Sequence, residues 1–420
     1  MVIRLVTLLL LTVAVAAQDR IPDNVIPISY KLTFLRDNLN NFGSFEGTLE
    51  FEFNVKTPTT VIQLHSQDLS IPIDPILELP LLTPITVRAD TTLSSERVTL
   101  TFSGGNYDTF NHARGFYSYQ HSSQPHYIGL TQFGTTSARR AFPCLDQPDK
   151  KATIPVPPEI VIPPTWPGQL LSFQVTKKIS PHVVAWTITK HSSIPTLDLR
   201  VSVWHRETLS PTLLGVTVKV VAPVLNQLDI YLDYKLFSDT DRLNLFVVAK
   251  TKFSGMENFG LPIFSEAAIT FKEGESSSDD RQRICQLVTH EIAQQWFGDL
   301  VTPEWWDEVW LSEGFATYFE YFTLARVETA WQMDEQFVVQ QTQLALQADW
   351  YSGAYTDTHA GKHRDLHPLI IPNVETSEDI ERVFDFDAIT LSKGASVVRM
   401  LNAILGDETF KKNLKNYLSE

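Results

Sequence analysis

The sequence predicts two domains of different class, an antiparallel β domain followed by a mainly helical α+β domain, and three patterns predict it. Of 24 prolines, 18 precede residue 206 and six follow it, which places strands and turns first, because proline is not tolerated inside long helices. Apolar and polar residues alternate in the first half, the period of half-buried strands. In the second half apolar residues recur at helical spacing. The change of pattern puts the boundary near residues 200–210.

Residues 1–17 carry Arg4, an apolar stretch from Leu5 to Val15 and small residues at Ala14, Ala16 and Ala17. This is the layout of a cleavable secretory signal, and the stretch is short for the roughly 30 Å of a bilayer core. The chain is therefore expected to be secreted, with the mature protein starting near Gln18. In the β domain, expected over 18–205, Phe45, Leu49, Phe51 and Phe53 alternate with Glu46, Thr48, Glu50 and Glu52, and Val98, Leu100 and Phe102 with Thr99 and Thr101. The proline-dense stretch 154–168 cannot donate a regular ladder and reads as a surface connection. In the second domain, expected over 206–420, Ile284, Leu287, Val288, Ile292 and Trp296 follow candidate helix caps at Ser278 and Asp279. Ala293 and Phe297 widen the apolar surface until this helix is expected to be buried nearly all round. The last stretch, 407–420, repeats Phe410, Leu414, Tyr417 and Leu418 at the same spacing.

Composition excludes several classes of function. Lys+Arg 34 against Asp+Glu 49 leaves a net charge of −15, which argues against a nucleic-acid partner. No apolar run of 18 residues suggests a membrane anchor within the chain. Two cysteines, Cys144 and Cys285, make no disulfide scaffold and read as buried thiols, with a bridge between them as the alternative.

The polar trio His290, Glu291 and Gln294 interrupts the buried helix. In the pattern His-Glu-x-x-His, two imidazoles four residues apart lie about 40° apart on one helix face and clasp a Zn²⁺, while the intervening Glu deprotonates the metal-bound water. Here the second His position holds Gln294. Nineteen residues later comes Glu313, at the spacing with which a second helix returns a carboxylate as the third ligand. Upstream lies SGMEN (254–258), and further back ARRAFPCLDQP (138–148); downstream follow LHPL (366–369) and ITLSKGASVVRML (389–401).

These five stretches in one order make the chain resemble the M1 family of zinc aminopeptidases, gluzincins of the aminopeptidase N type. The resemblance implies an N-terminal β-sandwich-like domain and a thermolysin-like catalytic domain. It implies a further C-terminal helical domain, absent from this chain, so that the apolar face of the last helix is expected to lack its cover and to suit a partner protein. Family members often lie at the external side of the plasma membrane. The resemblance also assigns positions: His290 and Glu313 to metal ligands, Gln294 to the third ligand, Glu291 to the general base, Gly255, Met256, Glu257 and Asn258 to substrate binding, and Leu391 to the Tyr that donates to the oxyanion. Glu257 would pair with the ammonium of a peptide or protein N-terminus, aided in the family by a Gln or Glu where this chain has Gly134.

Three departures thus fall on three roles. Gln294 offers a poor metal donor, Leu391 donates nothing, and Gly134 accepts nothing. Loss of an oxyanion donor alone costs about 10²–10³ in rate. The expectation is a secreted homologue with zinc weak or absent, catalytically inactive or severely impaired, that still holds peptide N-termini. The competing expectation is an active zinc-dependent aminopeptidase in which Gln294, water or a remote histidine (His359, His363 or His367) completes the coordination sphere.

Overall fold

The computed structural model describes residues 20–35, 44–71, 85–105, 114–120, 127–154, 160–161, 176–249, 251–350, 355–357, 362–364, 367–383 and 387–419. The secretory signal expected over 1–17 lies outside them. So does most of the proline-dense stretch; its residues 160–161 form a short strand, which the expectation of a mere connection did not include.

Alternation in the first half builds a sandwich. Strands β1 (Val25–Leu35), β2 (Ser44–Leu64), β3 (Leu69–Ser70) and β4 (Ile85–Gly105) form an antiparallel sheet of order β1-β2-β4-β3. A second sheet contains β5 (Gly115–Gln120), β6 (Tyr127–Gln132), β7 (Ile160–Val161) and β8 (Thr187–Thr189) in the order β5-β6-β8-β7. Phe45, Leu49, Phe51 and Phe53 all point into the core between them, as side chains two residues apart must. Phe45 meets Phe116 of β5 edge-to-face across the sheets at 5.7 Å between ring centres. Successive residues of β5 take opposite faces: Phe116 joins this core, whereas Tyr117 and Tyr119 pack with Phe246, Val248 and Ile263 of the second domain. The second sheet is therefore buried on both sides, and the two domains share a core.

The second domain begins with a five-stranded sheet: β9 (Ser192–Pro195), β10 (Val201–His205), β11 (Leu243–Val248), β12 (Gly255–Met256) and β13 (Ile263–Ser265), ordered β12-β13-β11-β10-β9. This sheet reaches back to Ser192, across the boundary expected at 205. Strand β11 is central and fully buried, which suits its near-continuous apolar run. Helices α1 (Gly215–Leu232), α2 (Glu266–Ile269), α3 (Ser278–Gln294) and α4 (Trp310–Val327) follow. Next come α5 (Met333–Phe337), a π-helical turn at Val338–Thr342, and α6 (Gln343–Trp350). A small hairpin of β14 (Tyr355–Asp357) and β15 (Lys362–Arg364) precedes α7 (Ser377–Val383). A second π-helical turn at Ile389–Lys393 leads into α8 (Gly394–Leu405), and α9 (Asp407–Ser419) ends the described chain.

By length and composition α1 and the turn before it would cross a membrane, but Val220, Val221, Val224, Leu225 and Leu228 are packed in the core with residues of α3 and α4. Its apolarity is that of a core helix. The cap of α3 differs from expectation by one residue at each position: Ser277 accepts from Asp280 N, and the Asp280 carboxylate accepts from Ser277 N, a reciprocal capping box. Only the C-terminal half of α3 is enclosed; its first turn is exposed.

The expectation for the last helix is corrected. Phe410, Leu414 and Leu418 are buried in the same core as α1, so their face is covered from within the chain, and of the four apolar residues only Tyr417 is exposed. Apolar residues face outward on α8 instead, at Met400, Leu401 and Ile404. Cys144 and Cys285 are free buried thiols in different cores.

Candidate active site

The site forms where α3, α4, β12 and the second π-helical turn converge. Helix α3 ends in it: His290 and Gln294, four residues apart, share one face, and α4 brings Glu313 against them. Gln294 Nε2 donates to Glu313 Oε1 at 2.6 Å, and His290 Nε2 lies 3.2 Å from Glu313 Oε2. Both oxygens of this buried carboxylate, 3% exposed, are thus engaged from α3. The other imidazole nitrogen, Nδ1, is 3.5 Å from Glu320 Oε2. Glu320 was not singled out from the sequence, although it stands seven residues after Glu313, two helical turns on and on the same face. Burial opposes the charged form of His290, but the hydrogen bonds to Glu313 and Glu320 and the charges of Glu313 and Glu291 outweigh it, so the imidazolium persists well above the ordinary histidine range.

Glu291 points to the other side, toward β12. A Cβ on Gly255 would lie 2.2 Å from Glu291 Oε1, so a side chain there would displace this carboxylate. Glu291 is buried, with Oε2 unpartnered among the described residues. Burial first, then the neighbouring Glu257, Glu313 and Glu320, push it well above the usual carboxylate range, against the opposing pull of His290. Glu257 is two residues beyond Gly255, hence on the same side of the extended segment, while Met256 is buried. Burial and the charge of Glu313 raise Glu257 to about 7. Asn258 is fully buried, and neither polar atom of its side-chain amide has a partner among the described residues. Gln295, another residue the sequence did not single out, pins this segment: its Nε2 donates to Glu257 O, and its Oε1 accepts from Gly260 N at 2.8 Å. No spacing rule marks it.

Leu391 occupies the second π-helical turn, half-buried. Asp387 shapes that turn, accepting from Ile389 N and Thr390 N at 3.0 and 2.9 Å with Oδ1 and meeting His367 Nε2 at 2.8 Å with Oδ2. His367 is thus engaged by Asp387, and the side chains of His359 and His363 lie outside what the structure describes. The turn reaches α4 because Gly394, just after it, lies against Gly314: a Cβ on Gly314 would fall 2.8 Å from the Gly394 carbonyl carbon. Gly134 adopts φ +53°, with open space among the described residues on its Cβ side, and Gln132 nearby is buried with its amide unpartnered among them.

The residues present do not fit a three-ligand zinc centre. Catalytic zinc takes lone pairs from three imidazole, thiolate or carboxylate donors; here the third position is a carboxamide that donates a hydrogen to Glu313. Among the described residues, no group of three His, Cys, Asp or Glu side chains is placed to hold a metal ion.

Residues 217–420 match the peptidase family M1 domain and residues 26–157 the peptidase M1 N-terminal domain. Aminopeptidase N of Bos taurus is 29% identical, the alignment covering 95% of this chain and 45% of the relative. Aminopeptidase 2, mitochondrial, of Saccharomyces cerevisiae is 28% identical, over 96% of this chain and 43% of its own. Glutamyl aminopeptidase of Bos taurus is 27% identical, over 96% and 44%. The chain spans less than half the length of these relatives. With both family domains matched in order, and a β-rich domain preceding a mostly helical one, the chain belongs to peptidase family M1.

Proposed function

We propose that this chain is a secreted M1 aminopeptidase homologue that has lost effective hydrolysis and retains binding of peptide N-termini. One observation carries the reading: the Gln294 amide donates to Glu313, where a metal ligand set would direct lone pairs at an ion. M1 aminopeptidases are zinc-dependent, and without a metal to acidify water Glu291 has no nucleophile to activate. Leu391 supports the same reading, since an aliphatic side chain cannot stabilise a developing oxyanion. What the site still offers is Glu257, a half-buried carboxylate on the β12 segment, suited to a charge-assisted hydrogen bond with an α-ammonium.

Metal content by elemental analysis, with Gln294→His as the positive control, tests the reading together with turnover of aminoacyl reporter substrates. The expected result is a parent without zinc or turnover and a control with about one zinc per chain. Adding Leu391→Tyr to the control is expected to raise turnover at least about 10²-fold. A parent that holds one zinc and cleaves the reporters overturns the reading in favour of an active metalloexopeptidase.

A further inference from the structure

The contacts of Gln294 have a structural consequence as well as a catalytic one. In a site with two ligands on one helix and one on the next, the ion is also a cross-link, and losing it leaves a buried carboxylate without a counter-charge. Such a group is costly unless it is paired and hydrogen-bonded. Glu313 faces that cost, since it is 3% exposed on α4. In this chain the cost is met from α3: Gln294 Nε2 donates to Oε1 at 2.6 Å and His290 Nε2 approaches Oε2 at 3.2 Å, with Glu320 3.5 Å beyond His290 Nδ1. Gln294 is itself 2% exposed. An alanine, leucine or valine at 294 would fill space but offer Glu313 nothing. A glutamate would add a second charge beside the first. Glutamine supplies a donor without a charge and reaches across the gap between the helices.

We propose that Gln294 replaces the metal ion as the cross-brace between α3 and α4, so that the folded state of this chain is independent of divalent metal. The proposal rests on the reading that the site does not use zinc, and adds a positive role for the residue that disables it. The brace runs from α3 to both oxygens of Glu313, and the Gly314–Gly394 contact one residue further on carries its geometry to the turn that holds Leu391.

The test is thermal unfolding of the full chain, stripped of metal and then with zinc added, for the parent, Gln294→Leu, Gln294→His and the double variant Gln294→Leu/Glu313→Leu. The parent is expected to keep its midpoint within about 1 °C with or without metal. Gln294→Leu, which leaves Oε1 of the buried Glu313 without a donor while His290 still faces Oε2, is expected to unfold roughly 5 °C lower. The double variant, which removes both partners, recovers most of that loss because no buried carboxylate oxygen is left without a donor and His290 keeps Glu320. Gln294→His, whose imidazole can still donate to Glu313 and can also take a metal, is expected to gain stability with zinc where the parent does not. If Gln294→Leu fails to fold, a folded double variant still assigns the failure to the carboxylate oxygen left without a donor; a double variant that also fails overturns the brace. A metal-free parent without turnover whose Gln294→Leu variant is equally stable overturns the brace alone and leaves the proposed function standing. A parent that is destabilised by chelator overturns the brace too, and reporter turnover by that same protein decides whether the proposed function falls with it.

Discussion

The two sides of the site contrast in what has been kept. On the side of β12, Gly255, Met256, Glu257 and Asn258 keep the pattern of the family resemblance, and the structure gives that pattern a geometry: Gly255 makes room for Glu291, Gln295 ties down the Glu257 carbonyl, and Glu257 is half-buried on the same segment. On the side of α4 and the second π-helical turn, the backbone scaffold is equally tight, with Gly314 against Gly394 and Asp387 shaping the turn, yet position 294 holds a carboxamide bonded to Glu313 and position 391 an aliphatic side chain. Packing and chemistry are therefore separable within one pocket. Backbone approach is constrained by sterics that any folded member must satisfy, whereas ligand identity is constrained only by the reaction. The sharpest way to break this contrast is Glu257→Gln. If β12 is the functional side, a short peptide with a free N-terminus should bind about 10–100-fold more weakly to the variant, the worth of one charge-assisted hydrogen bond. An N-acetylated peptide should show no difference. Calorimetric titration of both peptides checks this, and equal affinities for parent and variant would move any surviving function away from β12.

The scaffold half of the contrast is tested by Gly314→Ala. The added methyl would lie 2.8 Å from backbone atoms of Gly394, which cannot rotate away as a side chain can. A loss of about 1–3 kcal/mol in unfolding free energy is expected, read from urea denaturation. A neutral result would mean that α4 and α8 separate easily, and that Leu391 is not held against α4 in the way described.

Much of the fold was legible because burial imposes a period. Phe45, Leu49, Phe51 and Phe53 showed a strand with one buried face, and Ile284, Val288 and Ile292 a buried helix side, since side-chain direction follows directly from backbone geometry. The candidate site was legible for a different reason: chemistry needs particular residue types at fixed spacings, so His290, Glu291, Gln294 and Glu313 could be aligned in advance. Tertiary context escaped the sequence. Phe410, Leu414 and Leu418 showed an apolar face but not what covers it, and the cover proved to be the domain's own core. Ser192–Pro195 and Val201–His205 joined the sheet of the following domain because pairing partners are chosen in space, not by order in the chain. Glu320, Gln295 and Asp387 act on residues distant in sequence and fall in no motif spacing that had been sought, although the seven-residue interval from Glu313 to Glu320 was there to be read.

Protonation offers a finer test of the β12 side. Glu257 is raised from 4.5 to about 7, with burial as the largest cause. The folded chain therefore holds an extra proton between those values, and the stability this group contributes is fully present below about 4.5 and is lost as pH rises through about 7. Binding runs the opposite way, because an α-ammonium needs the ionised carboxylate. Peptide affinity should rise with pH until Glu257 ionises near 7, then fall again once the peptide amine, with a pKa of about 8, loses its proton. Below pH 6 the affinity should drop roughly tenfold for each unit. Titrations between pH 5 and 9 check the bell, and Glu257→Gln should flatten its acid limb while leaving the alkaline one.

The smallest expected effect belongs to Gly134, where the family pattern places a second acceptor for the amine. Its φ of +53° is left-handed, and no atom of the described residues lies within 4 Å of where a Cβ would stand. Gly134→Gln therefore meets no steric obstacle among them but does meet a backbone penalty, because a side chain in the left-handed region costs about 1 kcal/mol. If the loop presents the new amide to the peptide amine, affinity should improve about threefold, a small gain because the loop is open and the bond competes with water, with a loss of about 1 kcal/mol of stability. Affinity unchanged with the stability loss intact would show that the left-handed turn directs residue 134 away from Glu257. The amine would then be held by one carboxylate, and β12 alone would define the binding side.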